Sequence, residues 1–355
     1  MIILEVCNFA PDYPGNFISS LKSLEKIALQ KNENNRIIYA LPERASQKNW
    51  VKDLERTNIV CYFPSGIFKQ NIALLRICRR YKVDVLHSHF MGAFSMFLLP
   101  LFSRVKVIQH FHNTLEYSKK AAFLLRLLSL KFDKFVGCSK AVYDSLLYYN
   151  YSKKKCTFIT NCIDFKRLDQ IVLEHPLDIG YRNLLILGTD FYRKGVDAAL
   201  KAVELLDNKE DLRLNIISHN EDQTLSLVIK TLGFIPNWVK ILSPSSNIGD
   251  YYRNVEIFLS PSINEGLCYA NMEAIYCGAM VIKTAIPSQV YNLEDEDYIT
   301  IPTQNELHEK IVSILEMTSE EKKRIIESLR KQIIDPYKIE NWGISTYELY
   351  ESLMK

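Results

Sequence analysis

Ser260-Pro261-Ser262-Ile263-Asn264-Glu265-Gly266-Leu267-Cys268-Tyr269-Ala270-Asn271-Met272-Glu273-Ala274 joins a short apolar run, residues 257–259, to a helical pattern that stops at Cys277-Gly278. The run reads as a buried strand, and Gly278 suits the left-handed residue that closes a helix. Glu265 therefore falls in a strand-to-helix loop and Glu273 inside the helix. A helix start offers unpaired N–H groups and a partial positive charge, which suit a diphosphate. Gly266 lets backbone approach a ligand closely. A carboxylate ahead of the helix can accept from sugar hydroxyls, and one a turn or two inside can hold a ribose diol. Two glutamates seven residues apart are by themselves more often incidental on a capped surface helix. The flanking Pro-Ser, Glu-Gly and Glu-Ala in this context favour the site.

The same strand–helix alternation extends both ways. Strand patterns at residues 1–6, 36–41, 83–87, 106–111, 134–138 and 157–160 alternate with helical patterns at 19–30, 72–81, 121–130 and 141–149. The alternation restarts with strands at 184–187, 212–218, 239–242, 257–259 and 280–283, helices at 196–206, 225–232 and 269–277, and closing helices at 306–317 and 320–334. Such alternation indicates parallel β-α-β units. Pro176, Asp178 and Gly180 interrupt it within 164–182. At 355 residues the chain exceeds one comfortable core. Two doubly wound α/β domains are expected: 1–165, and 166–337. The amphipathic segment 338–355, with Trp342, Tyr347, Leu349, Tyr350 and Leu353, is expected to pack back on the first. Ligands of such sheets bind beyond the strand carboxyl ends, so a cleft between two facing sheets is the expected site.

The net charge of +3 conceals an asymmetry: residues 1–165 carry 24 Lys/Arg and 12 Asp/Glu, a balance of +12, and residues 166–355 carry 20 and 29, a balance of −9. A basic half favours an anionic surface or substrate. The longest apolar run, residues 91–102, is too short to span a bilayer. Residues 1–4 are apolar without a basic leader and read as a strand, not a signal peptide. Eight scattered cysteines with no C-x-x-C pair suggest free thiols, a reducing cytoplasm and no zinc. No G-x-G-x-x-G follows a strand, which disfavours a nicotinamide dehydrogenase, and no nucleic-acid-binding motif accompanies the basic half.

At residues 260–278 the sequence resembles glycosyltransferase family 4, retaining enzymes of the GT-B fold. Pro-Ser, Glu265-Gly266, Glu273-Ala274 and Cys277-Gly278 match that family's pattern, and its usual Gly-Phe-Gly reads Gly266-Leu267-Cys268 here. The resemblance implies that Glu265 faces the donor sugar, that Glu273 holds the nucleotide ribose, and that Gly266, Leu267 and Cys268 line the donor site. Gly188-Thr189-Asp190-Phe191-Tyr192-Arg193-Lys194-Gly195 is similar to the family's second motif, with Lys194-Gly195 at the right spacing and Thr189 replacing the usual arginine. Lys194 would then neutralise the leaving diphosphate, with Arg193 the nearest second cation. Gly15-Asn16 resembles a family Gly-Gly that lines the cleft opposite the donor. Asn161-Cys162-Ile163-Asp164 resembles the Asn-Gly-Ile-Asp at the family's domain junction.

Asp84-Val85-Leu86-His87-Ser88-His89 also matches a family pattern, and His112 matches the family histidine that contacts the sugar. His87/His89 and His110/His112 each end an expected strand and so would point to the cleft rim. Four histidines without a completing carboxylate or cysteine make a poor metal set. Glu294-Asp295-Glu296-Asp297 contains an Asp-x-Asp of the sort that holds metal in GT-A enzymes, but it follows no suitable strand and reads as a solvated loop.

The resemblance implies a metal-independent, retaining glycosyltransferase without cofactor. Its donor would be a nucleotide diphosphate sugar, UDP being the family's usual carrier. Glu265, His112 and Lys194 would be catalytic. Basic residues Lys119, Lys120, Arg126, Lys131 and Lys134 around the apolar 121–130 suggest an anionic membrane surface and a lipid-linked saccharide acceptor, as in bacterial surface polysaccharide assembly. An ordinary buried helix with solvated lysines reads equally well. Two alternatives stand beside the transferase. One is a GT-B epimerase or hydrolase of sugar nucleotides, recognised by an acceptor-independent product. The other is a non-catalytic nucleotide-sugar-binding protein, which would bind without turnover.

Overall fold

The computed structural model describes residues 1–290, 299–300 and 303–355; the acidic run Glu294–Asp297 lies outside them. The chain divides into two compact units, Met1–Cys162 with Ile339–Lys355, and Ile163–Lys338. The division falls within the Asn161-Cys162-Ile163-Asp164 motif.

The first unit holds seven strands: β1 Ile2–Cys7, β2 Arg36–Pro42, β3 Ile59–Phe63, β4 Val85–His89, β5 Lys106–Phe111, β6 Lys134–Gly137 and β7 Cys156–Phe158. They pair in the order β3-β2-β1-β4-β5-β6-β7, all parallel. The order reverses between β1 and β4, the place where doubly wound sheets bind ligands. The helix Ile339–Met354 lies along the helix Gly15–Lys31, with Trp342, Tyr347 and Tyr350 buried among Leu21, Leu24 and Ile27. Gly343 permits this approach: a Cβ there would lie 2.7 Å from Ile27 Cδ1.

The second unit holds β8 Arg182–Leu187, β9 Leu212–Ile217, β10 Val239–Leu242, β11 Ile257–Ser260, β12 Met280–Thr284 and β13 Ile299–Thr300. Their order, β10-β9-β8-β11-β12-β13, is again all parallel, with the switch between β8 and β11. These strands are largely buried on both faces, as parallel strands covered by helices are, with Asn183, Asn215 and Lys283 as buried polar members. Leu184, Ile186, Leu214, Ile216, Ile257 and Leu259 pack into the core with Ala199, Leu200 and Val203 of the helix Val196–Glu204.

Several elements differ from the sequence reading. The first helix begins at Gly15, four residues early, which draws Gly15 and Asn16 into its first turn. The helix expected at 72–81 begins at Ile67, whose first turn leaves Ile67 and Phe68 exposed. The strand expected at 83–87 runs Val85–His89, so His87 sits in mid-strand, not at its end. The helix Asn49–Glu55 and edge strand β3 carry too little periodicity to be recognised. None of the eight cysteines forms a disulfide.

Candidate active site

In the second unit the loops that leave β8 and β11 meet at the switch point. The β8 loop, residues 188–195, turns on itself: the Lys194 N–H donates to Asp190 O at 2.8 Å, and Gly195 adopts φ +71° before the helix Val196–Glu204. Only glycine fits there. Besides the left-handed backbone, a Cβ would sit 2.3 Å from Pro261 O and 2.9 Å from Pro261 Cγ. The Lys-Gly and Pro-Ser motifs therefore touch through backbone.

Further bonds join the two loops. The Ile263 N–H donates to Arg193 O at 3.0 Å. Arg193 Nη1 donates to Asn264 O at 3.1 Å, and Arg193 Nε to Asp190 Oδ2 at 2.7 Å. Lys194 Nζ lies 2.5 Å from Glu265 Oε1, with Arg193 Nη1 3.5 Å from the same oxygen. Glu265 is buried. Two cations thus converge on one buried carboxylate oxygen, a charge-assisted arrangement that fixes all three side chains. Thr189 stands exposed at the head of the same loop.

The helix Tyr269–Cys277 begins at Cys268; the Tyr269 N–H donates to Leu267 O at 3.1 Å, and the positive end of the helix dipole faces the loop. Gly266 is buried in the loop. Leu267 and Cys268 turn inward too; Cys268 Sγ lies 3.5 Å from Ser260 Oγ and 3.4 Å from Asn271 Oδ1.

Glu273 points from this helix to Arg167, whose Nη2 donates to Glu273 Oε1 at 2.5 Å. Burial pushes the Glu273 carboxyl up from the ordinary range, and Arg167 partly reverses this. Sequence reading missed Arg167. It lies in the helix Phe165–Asp169, which Asp164 caps by accepting from the Arg167 N–H. Its Nε is buried without a partner among the described residues. The one available signal was its place three residues after the junction motif.

The remaining sequence candidates lie in the first unit. Gly15 takes φ +55° with open space where a Cβ would be. Asn16 is buried, its Nδ2 donating to Cys162 O at 2.6 Å. The histidine pairs are corrected most: His87, His89 and His110 are buried inside the fold, and only His112 keeps some exposure. Period-2 alternation puts His87, His89 and His110 on one face of β4 and β5, and His112, the residue after β5, continues that face, under the Ile339–Met354 helix. His87 Nδ1 lies 2.5 Å from Tyr350 Oη, and His87 Nε2 3.2 Å from His110 Nδ1. His89 Nδ1 lies 3.1 Å from His112 Nε2, and His89 Nε2 3.0 Å from Glu5 Oε2. Tyr350 Oη donates to Glu5 Oε1 at 2.6 Å.

Burial pushes Glu5 up to about 8, against a smaller opposing pull from the Tyr350 hydrogen bond. Burial lowers His87 and His112 to about 3, and His89 and His110 well below the ordinary imidazole range, so all four are neutral at physiological pH. Nitrogens of His87, His89 and His110 lie within 4.8 Å of one another, as three ligands of one metal ion would. Every ring nitrogen of the three except His110 Nε2 is already hydrogen-bonded within the network.

Compared with known families, residues 173–332 match the family described as "Glycosyl transferases group 1" and residues 34–167 match "Glycosyltransferase Family 4". Among curated proteins none matches closely enough to count as a relative. Solved structures match throughout. A glycosyltransferase from Rickettsia africae ESF-5 is 19% identical with a TM-score of 0.82, over 100% of this chain and 98% of that one. Anabaena HepE, solved in complex with UDP and glucose, is 14% identical with a TM-score of 0.77, over 99% and 100%. Sucrose-phosphate synthase from Thermosynechococcus elongatus is 12% identical with a TM-score of 0.82, over 100% and 99%. These likenesses share the two-sheet GT-B architecture. The two family matches together cover most of the chain and both loop motifs of the second unit: the chain belongs to the family 4 glycosyltransferases of GT-B fold.

Proposed function

We propose that the chain is a retaining, metal-independent transferase that moves a sugar from a nucleotide diphosphate sugar, a UDP-sugar, to a lipid-linked saccharide in bacterial surface polysaccharide assembly. The convergence of Lys194 and Arg193 on Glu265, beside the positive end of the Tyr269–Cys277 helix at the β8/β11 switch point, carries this reading. The Anabaena protein's complex with UDP-glucose supports the donor class.

In this reading the diphosphate sits at the start of the Tyr269–Cys277 helix. Lys194 and Arg193 offset the charge that builds on it as the anomeric bond breaks, an effect worth about 3 kcal/mol per well-placed donor. Arg193 takes the part of the family arginine missing at Thr189. Glu265, held by both cations, orients the sugar, and Glu273 Oε2, which makes no hydrogen bond among the described residues, accepts from the ribose. His112 contacts the sugar. Both carboxylates are already neutralised by Lys or Arg, so neither offers a cation the charge it seeks. The acceptor hydroxyl attacks the face that the diphosphate leaves.

The acceptor reading rests on the helix Lys119–Leu128. Phe123 is 59% exposed, Leu127 51% and the following Leu130 59%, which is not the pattern of an ordinary buried helix. Lys120, Arg126 and Lys131 stand among them. Apolar side chains facing outward between cations suit an anionic bilayer. A groove of about 740 Å³ beside them is lined by Tyr117, Phe123, Arg126, Tyr148, Tyr149 and Asn150. Aromatic rings for sugar faces and a guanidinium for phosphate fit a lipid-linked saccharide. No described helix is long and apolar enough to cross a membrane. Flotation with anionic liposomes tests this half: the protein should float at low salt and less at high salt, and failure to float at low salt removes the membrane surface.

A further inference from the structure

The histidines of the first unit do not form a loose cluster. Their hydrogen bonds have a direction, and it runs to or from Glu5. Tyr350 Oη donates to Glu5 Oε1 at 2.6 Å, so its oxygen must accept from His87 Nδ1. That fixes the proton of His87 on Nδ1 and leaves its Nε2 to accept from His110 Nδ1. The chain then ends on a bare His110 Nε2, and that atom is buried without a partner among the described residues. This branch is the same whether Glu5 is ionised or not.

The other branch, Glu5–His89–His112, has two arrangements. With Glu5 ionised, His89 Nε2–H donates to Glu5 Oε2, and His89 Nδ1 accepts from His112 Nε2–H. His112 then presents a bare Nδ1. With Glu5 protonated on Oε2, that hydroxyl donates to His89 Nε2, His89 Nδ1–H donates to His112 Nε2, and His112 presents Nδ1–H. Both fit the spacings of 3.0 and 3.1 Å. One proton taken up at His112 Nδ1 interconverts them: the His112 Nε2 proton passes to His89 Nδ1, and the His89 Nε2 proton to Glu5. His112 Nδ1 makes no hydrogen bond among the described residues, so it is the end left for a ligand.

The ring cannot evade this by turning over. His110 stacks on one face at 4.5 Å and 10°, and Phe90 on the other at 4.1 Å and 21°. Phe17 meets it edge-on at 5.7 Å. Phe90 holds φ +58°, a conformation bulky residues rarely adopt, to make its stack.

We propose that Glu5 is a positioning residue for the transfer: through His89 it decides whether His112 offers substrate a hydrogen-bond donor or an acceptor. This rests on the reading that His112 touches the sugar. The groups that face Glu5 are Cys7 on its own strand, Tyr39 on β2 with Glu25 behind it, His87 and His89 on β4, His110 on β5, His112 just after it, and Tyr350. Burial raises the Cys7, Tyr39 and Tyr350 acids well above their ordinary values and keeps the histidines neutral. Glu5, at about 8, is thus the member of this set that changes charge near neutrality.

The test is ¹⁵N NMR of histidine-labelled full-length protein, with His112 identified by the signal lost in His112→Gln. In the wild type, His112 Nδ1 should shift from the N–H to the bare-nitrogen range between about pH 6.5 and 9. Glu5→Gln mimics the protonated carboxyl, since its amide donates to His89 and its oxygen accepts from Tyr350. It should hold His112 Nδ1 in the N–H range at every pH. A wild-type His112 with no tautomer change, or an unaltered change in Glu5→Gln, overturns the proposal; the wild-type titration decides even if the variant folds poorly. UDP binding to the same samples, by calorimetry, separates the readings. Binding without the tautomer change refutes the relay alone, and the change without binding refutes the donor reading.

Discussion

Gly195→Ala is the sharpest perturbation of the switch-point site. Gly195 holds φ +71°, and alanine in the left-handed region costs about 1–2 kcal/mol. The new Cβ would also fall 2.3 Å from Pro261 O and 2.9 Å from Pro261 Cγ. The first of these is backbone, which no rotamer change can move, and overpacking of this sort costs about 1–3 kcal/mol more. The expected loss is about 2–5 kcal/mol in the unfolding of the second unit. Gly180→Ala is the internal control: φ is +88° but no atom lies within 4 Å, so only the backbone cost applies. Urea denaturation of the three proteins, followed by tryptophan fluorescence, reads the difference through Trp238. Part of the clash can be relieved by parting the two loops, which moves Lys194 from Glu265, so UDP affinity should fall in Gly195→Ala and not in Gly180→Ala. Equal stability of the two variants would refute the view that the Lys-Gly and Pro-Ser loops are locked by direct contact.

Other substitutions separate roles within the site. Lys194→Ala should lower kcat by about 10²–10³-fold if Lys194 neutralises the leaving diphosphate. If Glu265→Gln leaves turnover intact while Lys194→Ala abolishes it, Glu265 does not orient the sugar. Arg167→Ala strands the buried Glu273 carboxylate and should destabilise the second unit by about 3 kcal/mol; Glu273→Gln in that background should restore part of it, and no recovery would show that Arg167 acts through packing. The first unit should be most stable near pH 6.5. Below that, the unfolded chain protonates four histidines that the fold keeps neutral, so stability falls with acid. Between about 4.5 and 8 the fold keeps a proton on Glu5 that the unfolded chain gives up, so stability also falls as pH rises toward 8, at up to about 1.4 kcal/mol per pH unit. Glu5→Gln should abolish the alkaline fall in a pH series of thermal melts, and an unchanged slope would contradict the raised carboxyl.

The segment 260–278 was legible because its signals are local. The helix bounds Tyr269–Cys277, the strand β11 that leads into it and the left-handed Gly278 at φ +102° all follow from short-range pattern and cap chemistry. Other features depend on residues far apart in sequence. Arg167 and Glu273 are 106 positions apart, and nothing near either names the other. The i, i+2 spacing of His87/His89 and His110/His112 does say that each pair shares a sheet face. Whether that face is open or covered depends on the helix Ile339–Met354, more than 220 residues on, whose Tyr350 closes the network. Edge strand β3 lacked a clean alternation because its three middle residues, Val60, Cys61 and Tyr62, are all half-buried.

The central claim is a nucleotide diphosphate site around Lys194, Arg193, Glu265 and Glu273. A thermal-shift comparison of UDP, GDP and ADP and their sugar conjugates, with and without EDTA, tests it most directly. A bound nucleotide at roughly 100 times its dissociation constant adds about 2.7 kcal/mol of stability. The account predicts a shift with UDP or a UDP-sugar that EDTA leaves intact and Lys194→Ala removes. No shift with any of them on folded protein, or a shift that EDTA abolishes, would contradict it.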